Sequence, residues 1–245
     1  MADATKQPPS TECPTRADAL IEVDAGRRYW QGVSADVNGM LGGIPSVRGF
    51  SSISRIDIQG SRTFLAKLGI GVKQGRKPVA SALEGGAGIG RVTQGLLLPV
   101  AEHVDVIEPM RKFTEALKDT AGVRSIFNVG LEEWQPQPGV AYDLIWTQWC
   151  SGHITDTQMV HFLEQCKAAL RPGSGIIVIK ENLSTSRADV FDEKDSSVTR
   201  QDETYRRLFA RAGLSLVRSE LQRGLPIAKT LSLLPVKMYA LKPQP

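Results

Sequence analysis

From residue 79 onward, short apolar runs alternate with segments whose apolar positions follow a helical period. The runs predict strands at 79–83, 103–107, 125–129, 142–147 and 175–180, and the intervening segments predict helices at 90–99, 111–120 and 156–170. In the last of these helices, one apolar face is formed by Met159, Leu163, Cys166 and Leu170. Alternation of this kind is typical of parallel βαβ units with helices on both faces of a sheet.

The pattern changes toward both ends of the chain. A helix is predicted at 199–212, followed by strands at 214–221 and 235–241 with no helical pattern between them, so these two strands should pair in antiparallel fashion. The fold class is therefore α/β, with a mostly parallel, Rossmann-like sheet.

The first 70 residues lack this alternation. Residues 1–15 are polar and proline-rich, which predicts a disordered tail, and an amphipathic helix is expected at 16–29. Three glycines at 36–43 indicate an irregular loop, and Ser54 with Asp57 resembles a capping box that opens the next helix. We expect one globular unit with a tail at 1–15, an N-terminal helical extension at 16–70 and a main domain at 71–245.

The composition adds limits on function. With 41% hydrophobic and 23% charged residues in 245, the chain is close to the globular average. The net charge of +4 arises in residues 206–245, where eight Lys or Arg face Glu220 alone. Aromatic residues do not interleave with these charges, so a solvated face is favoured over a nucleic-acid partner.

The cysteines and the apolar segments bear on the compartment. Cys13, Cys150 and Cys166 are odd in number and lack the spacing of a redox or metal site. No segment resembles a signal peptide or reaches the ~20 apolar residues of a membrane span. We expect a reduced, cytoplasmic protein with no metal and no membrane partner.

The strongest motif is the glycine loop from Leu83 to Arg91, which follows the first predicted strand and opens a helix. It has the form Glu84-x-Gly86-x-Gly88-x-Gly90, which differs from the dinucleotide pattern G-x-G-x-x-G. Glu108 ends the next strand, where an acid can accept both ribose hydroxyls, and Glu84 suits a nearby cation such as a sulfonium. A bare turn is the alternative. With the strand order and the antiparallel end, the chain resembles a class I S-adenosylmethionine-dependent methyltransferase, whose sheet has seven strands with the last one reversed.

Two further segments should lie at the same edge of the sheet. Gln148 to His153 follow the fourth strand, where Trp149 is either core or the wall of a substrate pocket, and His153 is either structural or chemical. From Glu181 to Asp195 there are five acids against Arg187 and Lys194. They are either a solvated loop, with a helix cap at 195–197, or a pocket for a cationic substrate.

Together these motifs are similar to those of one family, the eukaryotic protein N-terminal methyltransferases. The resemblance rests on Tyr29-Trp30, the segment 39–43, the loop 84–91, Ile145 to Trp149 with His153, Lys180 to Asn182 and Asp195 to Arg200. Members methylate the α-amino group of proteins that begin X-Pro-Lys after removal of methionine. The resemblance implies S-adenosyl-L-methionine as cofactor and protein N-termini, such as those of ribosomal proteins, as partners. It leaves the oligomeric state and entry into the nucleus open.

The resemblance also implies roles for individual residues. Those expected on the cofactor are Glu84, Gly86, Gly88, Arg91, Glu108, Leu131 and Gln148. Those expected on the peptide are Trp30, Trp149, Asn182, Asp192 and Ser197, with His153 and Asp195 as the groups that deprotonate or orient the amine. Trp149 would pack on the proline, Asp192 would pair with the lysine, and Trp30 with 39–43 would form part of a lid.

Two departures from the family pattern and two alternatives accompany this interpretation. Glu108 stands where the family often has Asp, and the segment 227–233 is longer than usual, which leaves one wall of the peptide site in doubt. The alternatives are a class I methyltransferase for another amine, a small molecule or a lysine side chain, and a catalytically silent binding protein.

Overall fold

A computed structural model of the chain describes residues 16–72, 75–227 and 231–245. The tail predicted at 1–15 and part of the long segment 227–233 lie outside these residues. The α-helices are α1 (Val23–Gly32), α2 (Val37–Met40), α3 (Ile53–Lys67), α4 (Arg111–Thr114), α5 (Asp156–Ala169) and α6 (Asp202–Arg211). The strands are β1 (Val79–Gly85), β2 (Ala101–Ile107), β3 (Val123–Phe127), β4 (Leu144–Gln148), β5 (Ile176–Asn182), β6 (Val190–Asp192), β7 (Ser197–Thr199), β8 (Leu214–Leu221) and β9 (Val236–Pro243).

Seven of these strands form one sheet in the order β3-β2-β1-β4-β5-β9-β8. Strands β1 to β5 pair in parallel, and β9 runs antiparallel to both of its neighbours, β5 and β8. The prediction of a mostly parallel, Rossmann-like sheet with an antiparallel last strand is therefore confirmed. In this order the carboxyl ends of β1, β2, β4 and β5 meet at one edge, which is where α/β proteins bind ligands.

Apolar side chains cover both faces of the sheet. One core holds Tyr142, Phe162 and Tyr205, and the other holds Phe64, Leu96 and Trp146. The apolar face predicted for α5 is buried as expected, and Thr155 caps that helix through a reciprocal capping box with Gln158. Because the central strands are covered on both faces, β4 and β5 begin with continuous apolar runs, Leu144 to Trp146 and Ile176 to Ile179.

Several predicted helices are shorter or differently wound. The helix predicted at 16–29 is a 3-10 turn, Ala17–Leu20, followed by α1. The segment 90–99 contains a π-helical turn at Thr93–Leu97, and 111–120 contains α4 followed by a 3-10 turn at Glu115–Leu117. The loop expected at 36–43 includes the short α2, whose cap is Asp36.

The capping box expected at Ser54 and Asp57 is wrong, and so is the alternative of a helix cap at 195–197. Helix α3 begins at Ile53, so Ser54 and Asp57 both lie inside it and form no capping box. Helix α6 begins at Asp202 after Gln201 rather than at 199, and the residues 195–197 instead lead into β7, which pairs with β6 as a small antiparallel hairpin. No pattern in the sequence predicts this hairpin.

Candidate active site

The glycine loop follows β1 at the carboxyl edge of the sheet. Gly86 and Gly88 have φ angles of 71° and 53°, a backbone region that side chains rarely adopt. A Cβ at Gly86 would collide with Cys150, and one at Gly88 would lie 2.8 Å from Met40 Sδ. The loop therefore lies close to the segment after β4 on one side and to the N-terminal extension on the other.

Two buried acids flank this loop. Glu84 is 2% exposed and accepts a hydrogen bond of 2.5 Å from Thr93 Oγ1. Burial raises the pKa of Glu84 to about 8, although the Thr93 hydrogen bond and the Arg91 charge oppose the rise. Glu108 accepts from the backbone N–H groups of Gly88, at 2.9 Å, and Met110, at 2.8 Å. Burial raises the pKa of Glu108 as well, against the effect of these two amides.

These groups surround a first cavity, which is open to solvent and encloses about 1100 Å³ when the solvent at its mouth is included. Its walls include every residue expected on the cofactor: Glu84, Gly86, Gly88, Arg91, Glu108, Leu131 and Gln148. They fit S-adenosyl-L-methionine chemically, because the bare glycines admit an adenosyl group, an acid at the end of β2 can accept from ribose hydroxyls, and Arg91 can pair with a carboxylate. Two α1 residues that share this wall, Gly26 and Arg27, were not predicted.

A second open cavity, of about 1250 Å³ when the solvent at its mouth is included, lies beside the first. Its walls include Trp30, Trp149, His153, Asn182, Asp195 and Ser197. Four residues line both cavities, and they are Trp30, Met40, Trp149 and His153. Asp192 is different, because it is exposed, is not part of this wall, and accepts a hydrogen bond from the Lys194 amide at 2.9 Å.

His153 stands at the boundary between the cavities. Its Nε2 accepts a hydrogen bond of 3.1 Å from Trp30 Nε1, and its buried Nδ1 has no hydrogen-bond partner among the described residues. Burial lowers the pKa of His153, although the charge of Asp195 opposes the decrease. A neutral ring that accepts at Nε2 carries its proton on Nδ1. Asp195 in turn accepts from Ser197 Oγ at 2.6 Å.

Trp149 is held in an unusual backbone conformation, with φ of 54°. Its backbone N–H donates to the Lys180 carbonyl at 3.1 Å, and the Arg91 guanidinium lies 5.4 Å from its ring centroid. The indole Nε1 is buried and has no hydrogen-bond partner among the described residues. Non-glycine residues in this region cost of order 1–3 kcal/mol and often mark ligand sites. The ring is thus fixed as a wall with one free donor.

A frame of buried polar residues supports the segment from Cys150 to Ile154. Glu181 accepts from the Cys150 and Ser151 amides at 3.0 and 2.9 Å, and Arg200 donates to the carbonyls of Ser151 and Ile154 at 2.8 and 2.6 Å. These contacts fix the backbone on both sides of His153. The sequence analysis assigned neither residue to this role.

Asp57 is a further buried polar residue that the sequence analysis missed. It is fully buried and contacts Arg91, Gln148 and Lys180. The available signal was its spacing, because Ile53, Asp57, Ser61 and Phe64 share the buried side of α3. An acid on such an apolar stripe needs buried partners.

Neither a metal site nor a membrane-spanning helix is found among the described residues. Within 16–72, 75–227 and 231–245, no three or more His, Cys, Asp or Glu side chains are grouped so as to hold a metal ion. No helix in the same part of the chain is both long enough and apolar enough to cross a membrane.

Comparison with known proteins gives consistent matches. Residues 18–242 match the model of the AdoMet-dependent proline di-methyltransferase family. The chain is 43% identical to alpha N-terminal protein methyltransferase 1 of Schizosaccharomyces pombe over 217 residues, which cover 88% of this chain and 93% of that protein. It is 41% identical to human N-terminal Xaa-Pro-Lys N-methyltransferase 1 over 207 residues, covering 82% and 87%. A solved SAM-dependent methyltransferase of Leishmania major superposes with a TM-score of 0.77 at 35% identity, covering 90% of this chain and 82% of the other.

Proposed function

The chain belongs to the AdoMet-dependent proline di-methyltransferase family, and from this membership we propose that it methylates the α-amino group of proteins beginning Xaa-Pro-Lys. It is an S-adenosylmethionine-dependent methyltransferase with the class I fold. The proposed substrate follows the names of relatives that align over more than four fifths of this chain.

The observation that carries the proposal is the shared wall between the two cavities. Trp30, Met40, Trp149 and His153 face both of them, so a donor in the first cavity and an amine in the second would meet at His153. Methyl transfer from a sulfonium is an in-line displacement, in which the amine nitrogen forms the new N–C bond as the S–C bond breaks. S-adenosylhomocysteine leaves, and the protein's task is mainly to align the two reactants.

A protonated amine has no lone pair, so it must lose its proton before it attacks. An α-amino group has a pKa of ~7.7–8.0, so a substantial fraction carries a proton at neutral pH. His153 and Asp195 both line the second cavity, and we assign proton acceptance and orientation of the amine to this pair. Because Trp30 already donates to His153 Nε2, that nitrogen can take the proton only after Trp30 releases it.

The peptide would lie along the second cavity. The fixed Trp149 ring suits the ring of a proline, and the free indole Nε1 can donate to a peptide carbonyl. Asn182 and Ser197 offer polar groups to the backbone on the same wall. Asp192, exposed on the hairpin of β6 and β7, would pair with the lysine from the rim.

The test is methyl incorporation into a matched pair of peptides. We expect label from the cofactor to enter a Ser-Pro-Lys hexapeptide and not the same peptide with an acetylated α-amine. Equal incorporation into both would move the reaction to a lysine side chain and refute the proposal. A small-molecule amine that outcompetes the peptide would favour the other class of substrate.

In cells, we propose that the protein acts in the cytoplasm, with the nucleus as a second location. The proposed substrates are protein N-termini, including those of ribosomal proteins. Mass spectrometry of protein N-termini from cells lacking the protein should show unmethylated Xaa-Pro-Lys ends. Unchanged methylation of these ends would contradict this assignment.

A further inference from the structure

Asp57 lies outside the Rossmann-like core, on α3 of the N-terminal extension, yet its side chain is fully buried and contacts Arg91 and Gln148, which line the first cavity. Its carboxylate contacts three side chains from three elements. Arg91 Nη1 lies 2.8 Å from Oδ2, Lys180 Nζ lies 2.5 Å from Oδ1, and Gln148 Nε2 lies 3.0 and 2.9 Å from the two oxygens. Burial alone would raise the pKa of Asp57, but Lys180 and Arg91 outweigh burial and lower it. The group is therefore a buried carboxylate ion.

Two of these partners line the first cavity and belong to the expected cofactor set. Both hydrogen bonds of Arg91 to described residues use Nη1, so Nε and Nη2 are left for a ligand. Gln148 is fixed at both ends of its amide, because Oε1 also accepts from Trp146 Nε1 at 3.3 Å. Asp57 thus determines the orientation of both side chains.

The third partner does not face a ligand. Lys180 is fully buried, and besides the carboxylate it donates to Ser61 Oγ at 2.8 Å and Gln222 Oε1 at 2.9 Å. Arg91 and Lys180 share the single Asp57 carboxylate, so it neutralises Arg91 only in part. Arg27, another cation in the cavity wall, already pairs with two acids, Glu132 and Glu133, and is therefore a weaker candidate for a ligand carboxylate.

We propose that Asp57 is a positioning residue that orients Arg91 to bind the amino-acid carboxylate of the cofactor and fixes Gln148 beside it in the cavity wall. This inference rests on the proposed assignment of those two residues to the cofactor. It makes tight cofactor binding depend on a side chain of the N-terminal extension. Since Arg91 also packs over Trp149, the same contact links the cofactor cavity to the wall of the peptide cavity.

The test compares two ligands by calorimetry. S-adenosylhomocysteine carries the carboxylate, and methylthioadenosine has the same nucleoside and sulfur without the amino-acid part. We expect Asp57→Asn to weaken S-adenosylhomocysteine about tenfold to a hundredfold, as for loss of a charge-assisted contact, and to leave methylthioadenosine within about threefold. A merely structural role would weaken both ligands by similar factors, and that result, or no change for either, would overturn the proposal.

Two further variants serve as controls for this comparison. If Asp57→Asn does not fold because Lys180 is left unpaired, the double variant Asp57→Asn/Lys180→Met removes both charges and should show the same selective loss. Asp105→Asn removes another fully buried carboxylate, which pairs with Arg124 away from the cavity. It should lower stability without changing the ratio of the two affinities.

The test of Asp57 and the test of the proposed function can fail independently of each other. If the unmodified protein binds S-adenosylhomocysteine but does not methylate the Ser-Pro-Lys peptide, the proposed substrate fails and the test of Asp57 is unaffected. If it methylates the peptide while the affinity ratio is unchanged in Asp57→Asn, the inference about Asp57 alone fails.

Discussion

Cofactor binding should release a proton from Glu84. This side chain is 2% exposed in the wall of the first cavity, and burial raises its pKa to about 8, so about nine tenths of it is protonated at pH 7. S-adenosylmethionine brings a sulfonium and an ammonium, and either cation favours the carboxylate ion. Binding therefore ionises Glu84, and up to ~0.9 proton per cofactor should leave at pH 7.

The same shift sets the pH dependence of affinity. With a pKa of about 8 in the free protein, the ionised fraction of Glu84 rises ~50-fold between pH 6 and pH 8. Affinity for S-adenosylmethionine should rise by up to this factor over that range. The effect of pH on folding has the opposite sign. Because the pKa of Glu84 is raised from 4.5 to about 8 in the folded protein, the free energy of unfolding falls as the pH rises through this window.

Calorimetry at pH 7 in phosphate and in Tris measures the proton release, because the two buffers differ in their heats of ionisation. Glu84→Gln should abolish the release and flatten the affinity between pH 6 and pH 8. Methylthioadenosine, which has no cation, should release no proton from the unmodified protein. Release below ~0.2 proton at pH 7, or a pH dependence that persists in Glu84→Gln, would refute the reasoning.

The remaining predictions concern the frame around His153 and the proton acceptor. Arg200→Met removes the buried donor to the carbonyls of Ser151 and Ile154 and to Asp156, which keeps its ion pair with Arg16, so urea unfolding should show a loss of about 2–4 kcal/mol. The exposed pair of Arg206 with Asp202 provides the control, and a loss in Arg206→Met as large as that in Arg200→Met would contradict the argument. Asp195→Asn should lower kcat by ~100-fold or more, with S-adenosylhomocysteine affinity within about twofold. Equal losses in both would give Asp195 a structural role instead.

The sequence predicts most of the sheet because buried parallel strands are continuous apolar runs. The helix at 90–99 shows the limit of this signal. Apolar spacing identified a buried helical segment, but it does not distinguish the π-helical turn Thr93–Leu97 from an α-helix. The hairpin of β6 and β7 was missed because its strands have three residues each, too few to show an alternating pattern.

The residues expected on the cofactor were easier to predict than the buried polar residues that support the site. Gly86, Gly88 and Glu108 lie at fixed positions within one βαβ unit, so their spacing alone locates them. Asp57 contacts Arg91, Gln148 and Lys180, which lie 34, 91 and 123 positions further along the chain. No local sequence pattern spans such separations. Its role depends on how α3 packs against the sheet, which is a property of the tertiary structure.

The position of β9 has a consequence for how the protein matures during synthesis. Strand β9 pairs with β5 through Ile177 to Asn182 and with β8 on its other side, so the sheet stays open at β5 until residues 236–243 have been made. At about 5–20 residues per second, translation reaches β9 several seconds after β5. Strands β1 to β4 can pair in that interval, so a nascent chain should form the walls of the first cavity first. The wall of the second cavity that includes Asn182 should become ordered last.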